Sequence, residues 1–165
     1  MFWFKSISRI FTKKAMKTIR LGSNKKFNYP VGRSPDILKH NCSLAAKSID
    51  DYLKVNGITS PVIVCRGSSG AMIASCITMF MNTVVPIVHL KKSGETSHSH
   101  NGDIMLDDYN FVIVVDDFVC TGTTLQAILD HVKIIDLLVL SQGTFNDEFV
   151  VDCYMEYIKT FINIF

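Results

Sequence analysis

Apolar residues fall into short, nearly continuous runs along this chain: Pro61-Val62-Ile63-Val64-Cys65, Val84 to Leu90, Phe111-Val112-Ile113-Val114-Val115 and Ile134 to Leu140. Short runs rich in Val and Ile, with little polar alternation, predict strands buried on both faces. Pro86 inside the second run predicts an irregular start or an edge position, because proline gives a ladder no N–H. Between the runs the apolar spacing becomes helical. Ser34-Pro35-Asp36 has the form of a helix start, and helical periodicity continues from Ile37 to Val55 before Asn56-Gly57 stops it. Gly70 to Met81 predicts a second helix, in which Ala71, Ala74 and Ser75 permit close packing on a sheet. A third opens at Leu125. Strands alternating with helices predict an α/β fold, a single-domain parallel sheet flanked by helices. Ligands bind such sheets beyond the carboxyl ends of the strands. The loops after Cys65, Leu90 and Val115 are therefore expected to meet.

The amino-terminal part follows a different pattern. Over residues 2–20, Phe4, Ile7, Phe11, Ala15 and Ile19 fall on one helical face, with Lys13, Lys14, Lys17 and Arg20 mostly off it. This predicts a basic amphipathic helix, with an irregular strand or hairpin over 18–28. Residues 1–35 hold nine Lys or Arg and no acid, whereas the rest of the chain carries a balance of −7. The division expected is a basic segment, 1–20, ahead of a domain over 21–165. A helix packing on the body or a partner is the plain reading of the arm. An organelle transit segment, a membrane-surface helix or a nucleic-acid arm are the sharper ones. Were Met16 the true start, most of the arm would be absent.

Composition narrows the class. At 165 residues, 48% hydrophobic and 19% charged, the chain can bury one real core, which argues against disorder. The five cysteines, Cys42, Cys65, Cys76, Cys120 and Cys153, show no metal or redox spacing. Buried free thiols in a reducing, cytoplasmic setting are expected. No apolar run has the length of a membrane span.

The chemistry concentrates in residues 112–124, Val-Ile-Val-Val-Asp-Asp-Phe-Val-Cys-Thr-Gly-Thr-Thr. A buried strand ends in two carboxylates, and a turn of hydroxyls and glycine leads to a helix. Turn N–H groups and a helix N-terminus attract phosphate. Gly122 lets the backbone approach closely, and Asp116 and Asp117 are acceptors suited to two neighbouring hydroxyls. A plain packing turn does not call for two adjacent carboxylates after a buried strand. A second strand-to-helix turn, Arg66-Gly67-Ser68-Ser69-Gly70, suits another phosphate-type anion, although alone a glycine turn before a helix is as often a packing device. The long polar stretch from Lys91 to Asp108 has the character of a functional or mobile loop. Its His98 and His100 make a His-x-His pair without convincing further metal ligands.

The run from 112 to 124 resembles the phosphoribosyl-diphosphate signature of the type I phosphoribosyltransferases: strand, two acids, three variable positions, then Thr-Gly-x-Thr. The resemblance implies that family's fold, with a small hood from the N-terminal and C-terminal segments. It implies that Asp116 and Asp117 hold the ribose 2′- and 3′-hydroxyls and, indirectly, magnesium. Thr121, Gly122, Thr123 and Thr124 then hold the 5′-phosphate, with Cys120 beside them in the substrate site, and Arg66 to Gly70 take the pyrophosphate. Lys91, Lys92 and His98 stand where the family's mobile catalytic loop brings cations onto the leaving group. The tail from Phe149 to Tyr157 is similar to that of 6-oxopurine enzymes, which would set Phe149 against the base and Glu156 near its ring. Cys120 departs from the aspartate usual before Thr-Gly in those enzymes, and no lysine follows the 134–140 strand. The lysine-containing loop with its histidine is similar to that of orotate enzymes. The resemblance also implies a cis peptide bond between Cys65 and Arg66. The activity implied is transfer of ribose 5-phosphate from phosphoribosyl diphosphate to a purine or pyrimidine base, with release of pyrophosphate. Homodimerisation is left open. The alternative is a non-catalytic sensor of phosphoribosyl diphosphate or a nucleotide with the same fold.

Overall fold

A computed structural model describes residues 17–21, 35–92, 94, 106–117, 119, 121–141 and 154–164. In chain order the regular elements are β1 (Lys17–Leu21), α1 (Pro35–Val55), β2 (Pro61–Arg66), α2 (Gly67–Thr78), β3 (Ile87–Leu90), β4 (Phe111–Asp116), α3 (Thr123–Leu129), β5 (Ile135–Leu140) and β6 (Ile158–Ile164). The strands make one sheet in the order β1-β6-β5-β4-β2-β3. Every neighbouring pair is parallel.

Continuous apolar runs become strands because both faces of the sheet are covered. Ile63, Cys65, Ile113, Val115, Leu137, Val139 and Ile162 pack with α1 and α2 on one face. Val62, Val64, Val112, Val114, Leu138, Leu140 and Phe161 pack with α3 on the other. All six residues of β4 and of β5 are buried, so no position in either strand is left to alternate toward water.

Two boundaries move from those the pattern predicts. The second helix begins at Gly67 rather than Gly70 and ends at Thr78. Gly67, at φ 70°, makes the whole strand-to-helix turn in one residue, so Ser68, Ser69 and Gly70 are already helical. The strand expected from Val84 begins at Ile87 and lies on the edge of the sheet. Pro86 precedes it and still joins the ladder as an acceptor, its carbonyl taking the Ile63 N–H at 2.9 Å. The connection before it is fastened to α1 by Asp50, which accepts from the N–H groups of Asn82 at 2.7 Å and Thr83 at 3.1 Å. Burial pushes the Asp50 carboxyl up, but these donors outweigh that and hold it below the usual range.

The terminal elements carry the larger correction. Lys17–Leu21, where the helix expected over 2–20 overlaps the irregular strand or hairpin expected over 18–28, is the strand β1 and pairs with β6 from Lys17↔Thr160 to Leu21↔Ile164. Five residues with Ile at the centre satisfy both a helical and an extended spacing, and the partner that decides between them lies at the other end of the chain. The described parts of the segments expected to form a hood are thus two strands of the main sheet. The rest of the basic arm lies outside the described residues. Tyr52 ties α1 to this end of the sheet, through a hydroxyl contact of 3.2 Å with Thr160 and a tilted ring contact with Phe111. No helix among the described residues is long and apolar enough to cross a membrane.

Candidate functional site

The order of the strands reverses between β2 and β4. From β2 the chain crosses outward to β3, whereas from β4 it runs the other way through β5 to β6. A crevice opens at such a switch point beyond the carboxyl ends of the two strands. Here it is a cavity of about 360 Å³ lined by Arg66 and Ser69 from the first loop, Lys92 from the second, and Asp116, Asp117, Val119 and Thr121 to Leu125 from the third. The three loops expected to meet do meet.

Asp116 is the last residue of β4 and only 5% exposed. Its carbonyl accepts the Ser141 N–H at 3.1 Å, and its Oδ1 accepts the Asp117 N–H at 2.9 Å. Burial, and then the neighbouring Asp117 carboxyl, push the Asp116 carboxyl up to about 7, with the Asp117 N–H and the Lys92 ammonium acting against the shift. Asp117 is half-buried and faces the cavity. Beneath them the Cys65 thiol is pushed up to about 12 by burial and the Asp116 charge. It is an inert core group. Cys42, also buried, and the half-buried Cys76 are free thiols, as expected of a chain without cysteine pairing.

The Thr-Gly-Thr-Thr turn is built around Gly122, which sits in the left-handed region at φ 76° and precedes α3. Gly122, the N-cap, has no side chain to cap that helix, and the Thr121 hydroxyl accepts the Thr123 N–H at 3.5 Å. With seven residues α3 has less than two turns, so attraction for an anion rests on the turn's own N–H groups more than on a helix dipole. The hydroxyls of Thr121 and Thr123 bond each other at 2.8 Å at the exposed rim. Across the cavity, Arg66 ends β2 in extended backbone, φ −137° and ψ 135°, and lines the wall with Ser69. Ser68 points to solvent. Gly70 allows the close seat of α2 on β4: a β-carbon there would lie 3.2 Å from the Val115 carbonyl oxygen.

Lys91 and Lys92, expected to act together, separate. Lys92 reaches back over the first turn, so that a β-carbon added at Gly67 would lie 2.5 Å from Lys92 Cε and 2.8 Å from its Nζ. Lys91 does not line the cavity. The Cys65–Arg66 bond is not cis. The reversal that a cis bond would supply comes instead from Gly67 in the left-handed region, which leaves Arg66 in register with Leu90 of β3. Glu156 is exposed, in a short 3₁₀ turn before β6, and does not line the cavity. His98, Cys120 and Phe149 lie outside the described residues.

Three residues at the site escape a reading by chemistry. Val119, 3% exposed, and Leu125 form an apolar wall. Tyr154 lies over Gly122. An apolar residue inside a polar turn was the available signal for Val119. Tyr154 is far in sequence from Gly122 and Gln126, which it meets at the site.

Among the described residues no group of three or more His, Cys, Asp and Glu could hold a metal ion. Magnesium asks for less from a protein. It keeps several waters and takes one or two carboxylates together with phosphate oxygens of a substrate. Two adjacent carboxylates whose mutual repulsion raises Asp116 are a donor set that fits such a cation.

No family model and no curated protein matches the chain. Solved structures do. A hypoxanthine-guanine phosphoribosyltransferase from Bacillus anthracis is 20% identical with a TM-score of 0.48, covering 78% of this chain and 79% of its own. A purine phosphoribosyltransferase from Pyrococcus horikoshii is 16% identical with a TM-score of 0.45, covering 90% and 89%. A hypoxanthine-guanine phosphoribosyltransferase from Schistosoma mansoni in complex with IMP is 15% identical with a TM-score of 0.42, covering 88% and 82%.

Proposed function

We propose that this protein is a phosphoribosyltransferase that joins a nitrogenous base to ribose 5-phosphate. One observation carries the reading. At a single switch-point cavity, the buried Asp116 and the half-buried Asp117 at the end of β4 face a Thr-Gly-Thr-Thr turn on one side and an Arg-Gly turn with a lysine laid across it on the other. Two anion seats flanking a pair of hydroxyl acceptors match the three parts of phosphoribosyl diphosphate: 5′-phosphate, ribose diol and pyrophosphate.

The roles follow from charge. Thr121 to Thr124 hold the 5′-phosphate through backbone N–H groups and hydroxyls, and Asp116 and Asp117 accept from the ribose hydroxyls. With both ends of the sugar fixed, C1 faces the incoming base. The C1–O bond breaks, its electron pair leaves with pyrophosphate, and a ring nitrogen of the base forms the new bond to C1 and gives up its proton to solvent water. Arg66 and Lys92 stabilise the negative charge that grows on pyrophosphate. Asp116 and Asp117 are the residues that would hold magnesium, which when bound neutralises the diphosphate. Val119 and Leu125 exclude water, which competes with the base as nucleophile.

Incubating the protein with phosphoribosyl diphosphate, magnesium and a panel of hypoxanthine, guanine, xanthine, adenine, orotate and uracil, and measuring pyrophosphate, tests the reading. Release that depends on one base supports it. Tight binding with no release for any base identifies a sensor instead. Lys92 lies on the leaving-group side, where charge increases toward the transition state. Lys92→Ala is therefore expected to lower kcat about tenfold to a hundredfold with a smaller change in donor affinity, and Lys91→Ala to do much less. Steady-state kinetics on both variants checks this. Equal losses would return the two lysines to one shared role.

A further inference from the structure

We propose that Tyr154 is a positioning residue for the phosphate-binding turn, a role that rests on the function proposed above. The ring lies directly on Gly122. A β-carbon built there would clash with Tyr154 Cε2 and lie 3.1 Å from both Cζ and the hydroxyl oxygen. That hydroxyl reaches Gln126, four residues on and therefore on the same face of α3. The Gln126 N–H in turn closes the first turn of α3 on the Gly122 carbonyl at 2.9 Å. One ring thus spans the turn from its left-handed glycine to the end of the first helical turn.

The ring is itself well held. Tyr154 is half-buried and packs on the core cluster that contains Leu125, Ile128 and Phe161. It leads through the 3₁₀ turn Met155–Tyr157 into β6, an inner strand of the sheet. The N-cap of the turn it bears on is a glycine, and the bonds between Thr121 and Thr123 are internal to the turn. The Tyr154 ring is a brace that reaches the turn from outside and is fixed to the core.

The contact of Tyr154 with Gln126 Oε1 is 3.4 Å, long for an O–H···O bond. The brace is therefore the ring, not the hydroxyl. A turn already held in shape loses less freedom when phosphate binds, and this lowers the cost of binding without favouring the transition state over the ground state. The signature is a change in KM with kcat kept.

The test compares the full-length protein with Tyr154→Ala, Tyr154→Met and Tyr154→Phe. Hydrogen exchange of the free proteins is read at the amides of residues 121–125, with β4 and β5 as internal controls. Affinity for phosphoribosyl diphosphate is read by calorimetry. Tyr154→Ala is expected to speed exchange in the turn with the two strands unchanged, and to weaken donor binding about tenfold. Tyr154→Phe is expected to keep both properties, and the KM of the alanine variant to rise at constant kcat. Tyr154→Met keeps bulk without a flat ring, so it answers the question should the alanine variant not fold. Wild-type exchange in the turn of both the alanine and methionine variants overturns the proposal. So does a phenylalanine variant as impaired as alanine. A wild-type protein that binds no phosphoribosyl diphosphate ends the proposed function, and the exchange experiment then decides the brace alone.

Discussion

Asp116→Asn combined with Asp117→Asn is expected to remove binding of phosphoribosyl diphosphate while leaving a protein that is more stable, not less, above neutral pH. The acceptors proposed for the ribose diol are lost together with the charge that would hold magnesium, so calorimetry should detect no donor binding. The stability gain follows from the raised carboxyl. A folded-state value of about 7 for Asp116, against about 4 in an unfolded chain, means that the folded protein binds the proton more tightly across that interval. Stability then falls as pH rises from about 4 to 7 and stays level above. Asparagine cannot ionise and escapes this penalty. The expected gain near pH 8 is on the order of 2 kcal/mol, or roughly 4–8 °C in Tm for a chain of this size. It should vanish near pH 4. Thermal melts of both proteins at pH 4, 6 and 8 check the sign, and unchanged donor affinity in the variant would remove the carboxylate pair from the site.

Asp136→Ala is expected to act in the opposite direction and at the opposite end of the sheet. Asp136 is 8% exposed, near the start of β5. Its Oδ2 accepts the Val112 N–H at 2.8 Å and its Oδ1 pairs with Lys159 Nζ at 2.5 Å. Three neighbouring strands, β4, β5 and β6, are thereby joined by one carboxylate. Removing it leaves a buried N–H without its acceptor, a cost of about 2–4 kcal/mol when the lost charge-assisted bond is included. Lys159 is the exposed partner, at 63%, so Lys159→Ala is expected to cost about 1 kcal/mol or less. Asp136→Asn keeps an oxygen for Val112 and should recover most of the loss. Denaturant unfolding of the three variants ranks them. A lysine variant as damaged as the alanine variant would place the energy in the ion pair.

The central strands and the site were legible for the same reason. Residues 61–65 and 111–115 are apolar on both faces, and such runs have one stable home, between two layers of helices. The residues that follow them, Arg66-Gly67 and Asp116-Asp117, can then only be at the carboxyl ends, where parallel sheets bind ligands. Legibility ended where a partner distant in sequence decides the outcome. Lys17–Leu21 satisfies both a helical and an extended spacing until its partner β6, Ile158–Ile164, is available. The difference between Lys91 and Lys92 depends on where β3 stops and which side chain turns back over Gly67, which no local pattern encodes. Tyr154 was hidden in the same way, because its partners Gly122 and Gln126 lie on another element.

The pairing of β1 with β6 has a consequence for how the chain is made. A ribosome delivers β1 first among the described strands and β6 last, and β1 meets its neighbour in the sheet only after β6 has emerged. The block from β2 to β5 holds adjacent strands that are close in sequence and can assemble during synthesis. Until β6 has emerged, the outer edge of β5 is a bare ladder and Tyr154, proposed above as a brace, has no anchored strand behind it. The nascent protein therefore carries an open sheet edge and a Thr121–Thr124 turn without the support proposed for Tyr154, and the seven-residue strand β6 closes the one and would steady the other.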